Sequence, residues 1–174
     1  MKKTGFYTKK VLEHFQKPHN FGKIKNSNAI GQAGNVVCGD VMQLYLKIVK
    51  DKKGREIIED VSFETFGCVA AIATSSVITD LVKGKTLDKV LDFDKEKIVK
   101  ELGGLPPIKL HCSVLAADAL YDAIYNYLKK QKRKIPEKLK LAHMRIESSQ
   151  KKIEKEYKDW VHIEKEMYKK SSPR

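Results

Sequence analysis

The chain has 174 residues, with 35 Lys and Arg against 22 Asp and Glu, and therefore a formal net charge of +13. This length suits one domain of ordinary size, and a content of 41% hydrophobic residues excludes a chain that is disordered throughout. No run of about 18 apolar residues occurs, which excludes a membrane-spanning helix. The first residues lack the apolar stretch of a secretory signal, so we expect a cytoplasmic protein.

The first half of the chain predicts one short helix and an antiparallel pair of strands. Residues 7–15 place apolar side chains on one helical face. The Gly- and Asn-rich stretch 26–39 predicts a loop with at most a short strand. Residues 41–49 and 57–66 are rich in β-branched and aromatic residues, and the turn between them is short enough for a hairpin.

Helical patterns dominate the second half of the chain. The Ala-rich residues 69–82 predict a helix that ends just before Gly84. The segment 105–109 contains two prolines and cannot be helical in its middle. Residues 113–130 show the period of another amphipathic helix.

The sequence changes character at Ile135 and Pro136, after which no glycine occurs. We therefore divide the chain into a domain over residues 1–134 and a helical C-terminal extension over residues 135–174. Within the extension, apolar residues recur every seven positions, which predicts a helix of roughly 30 residues; they are Leu139, Ile146, Ile153, Trp160 and Met167. A second apolar seam is weak, so we expect this helix to lie on its own domain. The alternative is a docking or self-association helix, which makes a homodimer possible.

The three cysteines, Cys38, Cys68 and Cys112, carry the chemical information of this sequence. An odd number at wide spacing is a poor disulfide framework, so the count favours metal or thiol chemistry. Each cysteine is predicted to lie at a joint between a strand or loop and a helix, where a fold presents its ligands. At the start of a helix, Cys68 and Cys112 would have a lowered thiol pKa. The alternative is three buried cysteines that act as small hydrophobic residues.

Two further ligand types adjoin the cysteines: Asp40 follows Cys38 by two residues, and His111 directly precedes Cys112. Four-coordinate zinc accepts three cysteines with one His or Asp, and a [2Fe–2S] cluster needs four protein ligands, so the residue types leave both open. Adjacent residues do not face one point, so we expect His111 and Cys112 to compete or exchange. A hard carboxylate oxygen is a replaceable ligand for iron. Such a site suits a protein that must give its cluster away.

Several separate motifs occur in one collinear order between residues 7 and 130. They are Cys38-Gly39-Asp40-Val41-Met42, Thr65-Phe66-Gly67-Cys68, Ala71-Ile72-Ala73-Thr74-Ser75-Ser76, Lys83-Gly84-Lys85 and Leu105-Pro106-Pro107-Ile108-Lys109-Leu110-His111-Cys112-Ser113. With these motifs the chain resembles the IscU family of iron–sulfur cluster assembly scaffolds, which match the N-terminal module of NifU. The resemblance implies an α+β fold with a small three-stranded antiparallel sheet packed by helices, to which this chain adds its long C-terminal helical extension.

The resemblance also implies a role for each site residue. Members of the family are not enzymes in their own right; they build a transient [2Fe–2S] cluster from iron and from persulfide sulfur that a cysteine desulfurase delivers. Cys38, Cys68 and Cys112 match the family's three ligands, and Asp40 matches the carboxylate that makes the cluster labile. His111 matches the alternative fourth ligand. Cys112 is the candidate persulfide acceptor, with Cys38 as its rival, and the family site also binds zinc when it holds no cluster.

Partners follow from the same resemblance. The residues that match the motif gripped by Hsp70-type chaperones, which act with a J-type co-chaperone, are Leu105, Pro106, Pro107, Ile108 and Lys109. A rigid, extended Pro-Pro segment suits such a binding groove. Ferredoxin and other apo iron–sulfur proteins are the implied recipients of the cluster.

Two alternatives to a cluster scaffold remain at this point. One is a zinc-containing sulfur acceptor of a cysteine desulfurase, as in the SufU branch, which usually lacks both the His before the third cysteine and the prolyl motif. The other is a nucleic-acid-binding module, which is disfavoured because the basic run at residues 129–134 has no interleaved aromatic residues. One departure from the family is Val69, which stands where a small residue is usual. His14 and His19 are expected to be surface or packing residues.

Overall fold

The computed structural model describes residues 3–35 and 38–156. Its central sheet has three antiparallel strands in the order β3-β4-β5. These strands are β3 (Ala29–Gly34), β4 (Val41–Lys50) and β5 (Glu56–Phe66). A separate two-stranded ribbon is formed by β1 (Lys3–Thr4) and β2 (Tyr7–Thr8). The predicted α+β class with a small three-stranded antiparallel sheet is confirmed.

Six α-helices lie among the described residues, and none of them is long and apolar enough to cross a membrane. They are α1 (Lys9–Gln16), α2 (Val69–Val82), α3 (Leu87–Leu91), α4 (Glu96–Glu101), α5 (His111–Lys130) and α6 (Glu137–Glu156). The first helix begins two residues later than predicted because Thr8 caps it: the Val11 N–H donates to Thr8 Oγ1 at 3.2 Å.

The stretch that was predicted as a loop with at most a short strand contains the six-residue β3, which pairs with β4 along its whole length, from Ala29 opposite Leu46 to Gly34 opposite Val41. Glycine is rare in strands, so the residue pattern alone did not define the bounds of this strand. Gly31 is required here by packing against α5. A Cβ at this position would lie 2.2 Å from the Ala119 carbonyl oxygen, so the missing side chain lets the helix rest directly on the strand.

One hydrophobic core joins the sheet to its helices and extends to α6. Its largest fully buried side chains include Phe63 and Met42 from the sheet and Leu120 and Ile124 from α5. The α6 residues that join this core are Leu139, Ala142 and Ile146. In the described residues the extension therefore lies on its own domain, as expected. The side chains of Ile153, Trp160 and Met167 lie outside the described part, and the domain division after residue 134 stays a prediction.

Candidate metal centre

The sheet register places Asp40 beside the segment that leads into Cys68, and the start of a second helix adds Cys112. Val41 at the start of β4 pairs with Phe66 at the end of β5, so the residues flanking this pair, Asp40 and Gly67, are neighbours. Cys68 follows as the N-cap of α2. Cys112 is the second residue of α5, which begins at His111 rather than at residue 113 as predicted.

Cys38 occupies a different kind of joint from the one predicted. It lies in the turn that connects β3 to β4, and so joins two strands rather than leading into a helix. Two backbone hydrogen bonds close this turn: Gly39 N–H donates to the Asn35 carbonyl and Asn35 N–H to the Asp40 carbonyl, both at 2.9 Å. Gly39 has a φ of +72°, which favours glycine. The turn leaves Cys38 exposed at the rim of the site.

A carboxylate and two thiols meet at short distances in the interior of the site. The Cys68 and Cys112 sulfurs are 3.9 Å apart, and Asp40 Oδ2 lies 3.6 Å from the first and 3.8 Å from the second. Asp40 and Cys112 are both buried. The other carboxylate oxygen, Oδ1, accepts a hydrogen bond from the Cys68 backbone N–H at 3.1 Å. The backbone thus holds Asp40 in place while its free oxygen faces both sulfurs.

The five predicted site residues form two overlapping groups of possible ligands. One ligand atom each from Asp40, Cys68 and Cys112 lie within 4.8 Å of one another, and the same holds for Cys38, Asp40 and His111. Asp40 belongs to both groups, whereas the sequence neighbours His111 and Cys112 fall into different ones. His111 Nε2 is buried and has no hydrogen-bond partner among the described residues. A buried nitrogen without such a partner is available to bind a metal ion.

Gly67 makes room for the Asp40 carboxylate. A Cβ on Gly67 would lie 2.9 Å from Asp40 Oδ1 and 2.9 Å from the Ala71 side chain, closer than such contacts normally come. A larger residue would therefore push the carboxylate away from the sulfurs. Sequence reasoning did not assign this role, and its signal is the glycine directly before Cys68.

The expectation that the helix dipole lowers the pKa of Cys112 is wrong. Burial raises the pKa of this thiol, and the neighbouring Cys68 thiolate raises it further. A fully buried sulfur loses more from desolvation of its anion than it gains from the helix terminus. Because a thiol ligates as the thiolate, cation binding at Cys112 must release a proton.

The wall of the site combines residues that are far apart in the sequence. Tyr7 and Leu105 pack against the small apolar cluster that contains Cys112. Burial raises the pKa of the Tyr7 hydroxyl, with a further contribution from the Cys68 thiolate. The same thiolate raises the pKa of Lys109, so this ammonium places a positive charge beside the sulfurs. Val69, the departure from the family pattern, is partly buried and packs against the main core.

The prolyl segment is not extended throughout, contrary to expectation. Pro106 is extended, with φ −55° and ψ 141°, but Pro107–Lys109 forms a 3₁₀ turn in which Lys109 N–H donates to the Pro106 carbonyl at 2.7 Å. The fixed φ of proline suits the first position of such a turn. Pro106 is buried, whereas Pro107 is exposed and Ile108 is 69% exposed. The apolar tip of this turn is presented to solvent.

Fold and site together define a small α+β domain with a three-cysteine, one-carboxylate centre. The family model described as NifU-like N-terminal domain matches residues 6–134, and the chain belongs to this family. The iron–sulfur cluster assembly scaffold protein IscU 1 of Archaeoglobus fulgidus is 52% identical over 124 residues, which cover 71% of this chain and 78% of that protein. The corresponding IscU of Aquifex aeolicus is 46% identical over 127 residues, 73% of this chain and 79% of that protein.

A solved structure agrees with the fold. The N-terminal part of a NifU-like protein from Brucella abortus superposes with a TM-score of 0.56 at 24% identity, over 72% of this chain and 96% of that one. The curated relatives are named as scaffold proteins and not as enzymes. Helix α6 lies beyond the region that the family model matches.

Proposed function

We propose that this chain is a scaffold that assembles a labile [2Fe–2S] cluster from iron and desulfurase-derived persulfide sulfur, and then transfers it to apo-proteins. The observation that carries the proposal is the position of Asp40. Its carboxylate is anchored on the Cys68 backbone and lies 3.6 and 3.8 Å from two thiol sulfurs. It also belongs to both possible ligand groups. The names of the relatives support the same function.

In this proposal Cys38, Cys68 and Cys112 supply three thiolates to the cargo cluster. The Asp40 oxygen and the unpartnered His111 nitrogen are the two candidates for the fourth ligand of the cluster. An oxygen ligand is hard and iron in a sulfide cluster is soft, so this position is the weakest of the four. An incoming acceptor thiolate would replace it first. Three thiolate ligands hold the cluster strongly, and its release begins with the loss of the fourth ligand.

Sulfur enters through one of two thiols. Cys112 stays the predicted persulfide acceptor, with Cys38 as its rival. Cys112 is fully buried and Cys38 is exposed. Transfer to Cys112 therefore requires the site to open around this sulfur, whereas Cys38 is reachable in the arrangement described. In either case the acceptor thiolate attacks the outer persulfide sulfur, and the desulfurase cysteine leaves as a thiolate.

The proposed partners are a cysteine desulfurase, an Hsp70-type chaperone with its J-type co-chaperone, and ferredoxin or other apo iron–sulfur proteins. The exposed tip formed by Pro107 and Ile108 supports chaperone contact, because it offers apolar surface directly beside the site. The net charge of +13 favours acidic partner surfaces through electrostatic steering.

Anaerobic reconstitution tests this function. The full chain is incubated with a cysteine desulfurase, cysteine and ferrous iron, and visible absorption is followed by iron and sulfide analysis. We expect a [2Fe–2S] spectrum with equal amounts of iron and sulfide. A colourless protein that holds tight zinc and stimulates the desulfurase would overturn the scaffold proposal in favour of the SufU-like sulfur acceptor.

A further inference from the structure

A second cluster of metal-ligating side chains lies at the opposite end of α2 from Cys68. It consists of His14 on α1, His19 in the segment after α1, and Asp80 near the end of α2. Twelve residues separate Cys68 from Asp80, which corresponds to about 18 Å along a helix. This cluster is therefore distinct from the cysteine site, and the function proposed above does not use it.

The chain builds this cluster through a sharp reversal after α1. Asn20 adopts a φ of +55°, a conformation that Asn tolerates better than most residues. Its side-chain amide donates to Thr79 Oγ1 at 2.9 Å and to Asp80 Oδ1 at 3.2 Å. The reversal brings His19 back over α2, where its ring nitrogen Nδ1 lies 2.7 Å from Asp80 Oδ2.

Ser76 holds both histidines in place. The buried Ser76 hydroxyl accepts from the His19 backbone N–H at 2.8 Å and is hydrogen-bonded to His14 Nδ1 at 2.9 Å. The two imidazole rings lie with their centroids 4.7 Å apart. For His14, whose ring is oriented through Nδ1, such a hydrogen bond is the usual support for a metal ligand on the other nitrogen, whereas Ser76 fixes the backbone that carries His19.

We propose that His14, His19 and Asp80 form a second site for a borderline divalent transition-metal ion, with Zn²⁺ as its representative. One nitrogen of each ring and one Asp80 oxygen all lie within 4.8 Å of one another. Tetrahedral zinc at ordinary bond lengths needs ligand atoms about 3.3 Å apart, so a small contraction completes the site. Imidazole with carboxylate suits Zn²⁺ and its neighbours in the first transition row, whereas thiolates select softer centres.

Solvent access also fits this site. The His19 and Asp80 side chains are 57% and 42% exposed, which provides an entry path and room for a water as fourth ligand. An ion here would tie α1 to α2, the helix that carries Cys68 at its other end.

Metal titration of the full chain tests the site. A Cys38→Ser/Cys68→Ser/Cys112→Ser variant removes the thiolates, and Co²⁺ is used as a spectroscopic probe. We expect one bound ion with weak visible bands and no sulfur-to-metal charge transfer. Zn²⁺ affinity is then measured by competition with a chromophoric chelator. An absence of stoichiometric binding in this folded variant would overturn the proposal.

Two substitutions in that background assign the ion to its ligands. His19→Ala and Asp80→Asn should each lower the Zn²⁺ affinity by at least about tenfold, because each removes one of three ligands. The matched control is His143→Gln. His143 also lies against two carboxylates, but Asp122 and Glu147 contact opposite nitrogens of its ring, so they cannot share an ion through one nitrogen. An equal loss of Zn²⁺ affinity in His143→Gln would contradict the proposal, as would unchanged affinity in both His19→Ala and Asp80→Asn. Either result would show that His14, His19 and Asp80 form a hydrogen-bonded contact between α1 and α2 without a metal.

The native chain provides a check that does not depend on the triple variant folding. It should bind two Zn²⁺ ions, and His19→Ala should bind one. Retention of two ions by His19→Ala would contradict the proposal. The test is independent of the scaffold function, because failed cluster assembly would leave this count unchanged.

Discussion

Each end of helix α2 contributes one residue to a group of three possible metal ligands, but the two groups offer different chemistry. At the N-terminal end, Cys68 meets Asp40 and Cys112, which are buried. At the C-terminal end, Asp80 meets two histidines, and its carboxylate and the His19 ring are partly open to water. One rigid helix thus presents a soft, enclosed centre and a harder, open one. The two ligand groups differ in the softness of their donor atoms and in their burial, although both lie at ends of the same helix.

This difference has consequences for exchange with solvent. At the enclosed end Asp40 and Cys112 are buried, so we expect a bound group to leave there through its weakest protein ligand, the Asp40 oxygen. The open end lets water compete for the metal directly. We therefore expect cargo release to be controlled by protein residues at the first end and by free metal concentration at the second.

Loss of one thiolate should have the largest effect. Replacing Cys38, Cys68 or Cys112 singly with Ser should reduce bound iron and sulfide after reconstitution by more than about tenfold, because serine is a poor ligand for a soft centre. His143→Gln, whose side chain belongs to none of the possible ligand groups among the described residues, should assemble the cluster as the native chain does. A stable cluster in any of the three cysteine variants would show that the ligand set is mistaken.

The second largest effect is expected for a substitution in α6, a helix that contains none of the proposed metal ligands. Leu139→Ala in α6 should lower the free energy of unfolding by about 2–5 kcal/mol, because Leu139 is fully buried in the common core. Met144→Ala on the same helix, where Met144 is 63% exposed, should change it by less than about 0.5 kcal/mol. Denaturant unfolding measures both. Equal, small effects would mean that α6 does not share the core.

Gly67→Ala should cost about 1–3 kcal/mol of stability and also lower the cluster yield, because the added methyl displaces the Asp40 carboxylate. The control is Gly54→Ala in the β4–β5 turn. Gly54 has a φ of +76° and open space around it, so alanine there adds backbone strain of about 1 kcal/mol and leaves the site intact. A normal cluster yield from Gly67→Ala would contradict the packing argument.

The smallest predicted effect concerns the open end of α2. Ser76→Ala removes the acceptor of the His19 N–H and should lower stability by about 1 kcal/mol, with weaker Zn²⁺ binding at the second site. Ser75→Ala is matched in residue type, burial and helix, but the Ser75 hydroxyl bonds within α2 to the Ala71 carbonyl. It should leave Zn²⁺ affinity unchanged. Indistinguishable metal affinities of the two variants would show that Ser76 does not orient the histidines.

Local patterns predicted the regular elements well. The β4–β5 hairpin and α2 lie within one residue of their predicted bounds, because alternation and helical period are local properties of the sequence. The bounds of β3, predicted only as at most a short strand, were obscured by its glycines, one of which, Gly31, is explained by a helix about 90 residues further along the chain. Its existence depends on tertiary packing.

The candidate site was predicted by residue type but not by arrangement. Motifs identified the cysteines, Asp40 and His111. The anchoring of Asp40 and the space at Gly67 follow from the register of β4 and β5, which no local pattern contains. The raised pKa of Cys112 follows from burial that the helix argument ignored. His14 and His19 were assigned no ligand role because Asp80 lies some sixty residues away in sequence.

The most direct test of the central claim is the rate of cluster transfer. Native protein and Asp40→Ala are each loaded anaerobically, and transfer to apo-ferredoxin is followed by visible spectroscopy. We predict that Asp40→Ala holds its cluster and transfers it at least about tenfold more slowly, because the replaceable oxygen ligand is gone. Transfer from Asp40→Ala as fast as from the native chain would show that this carboxylate does not control release.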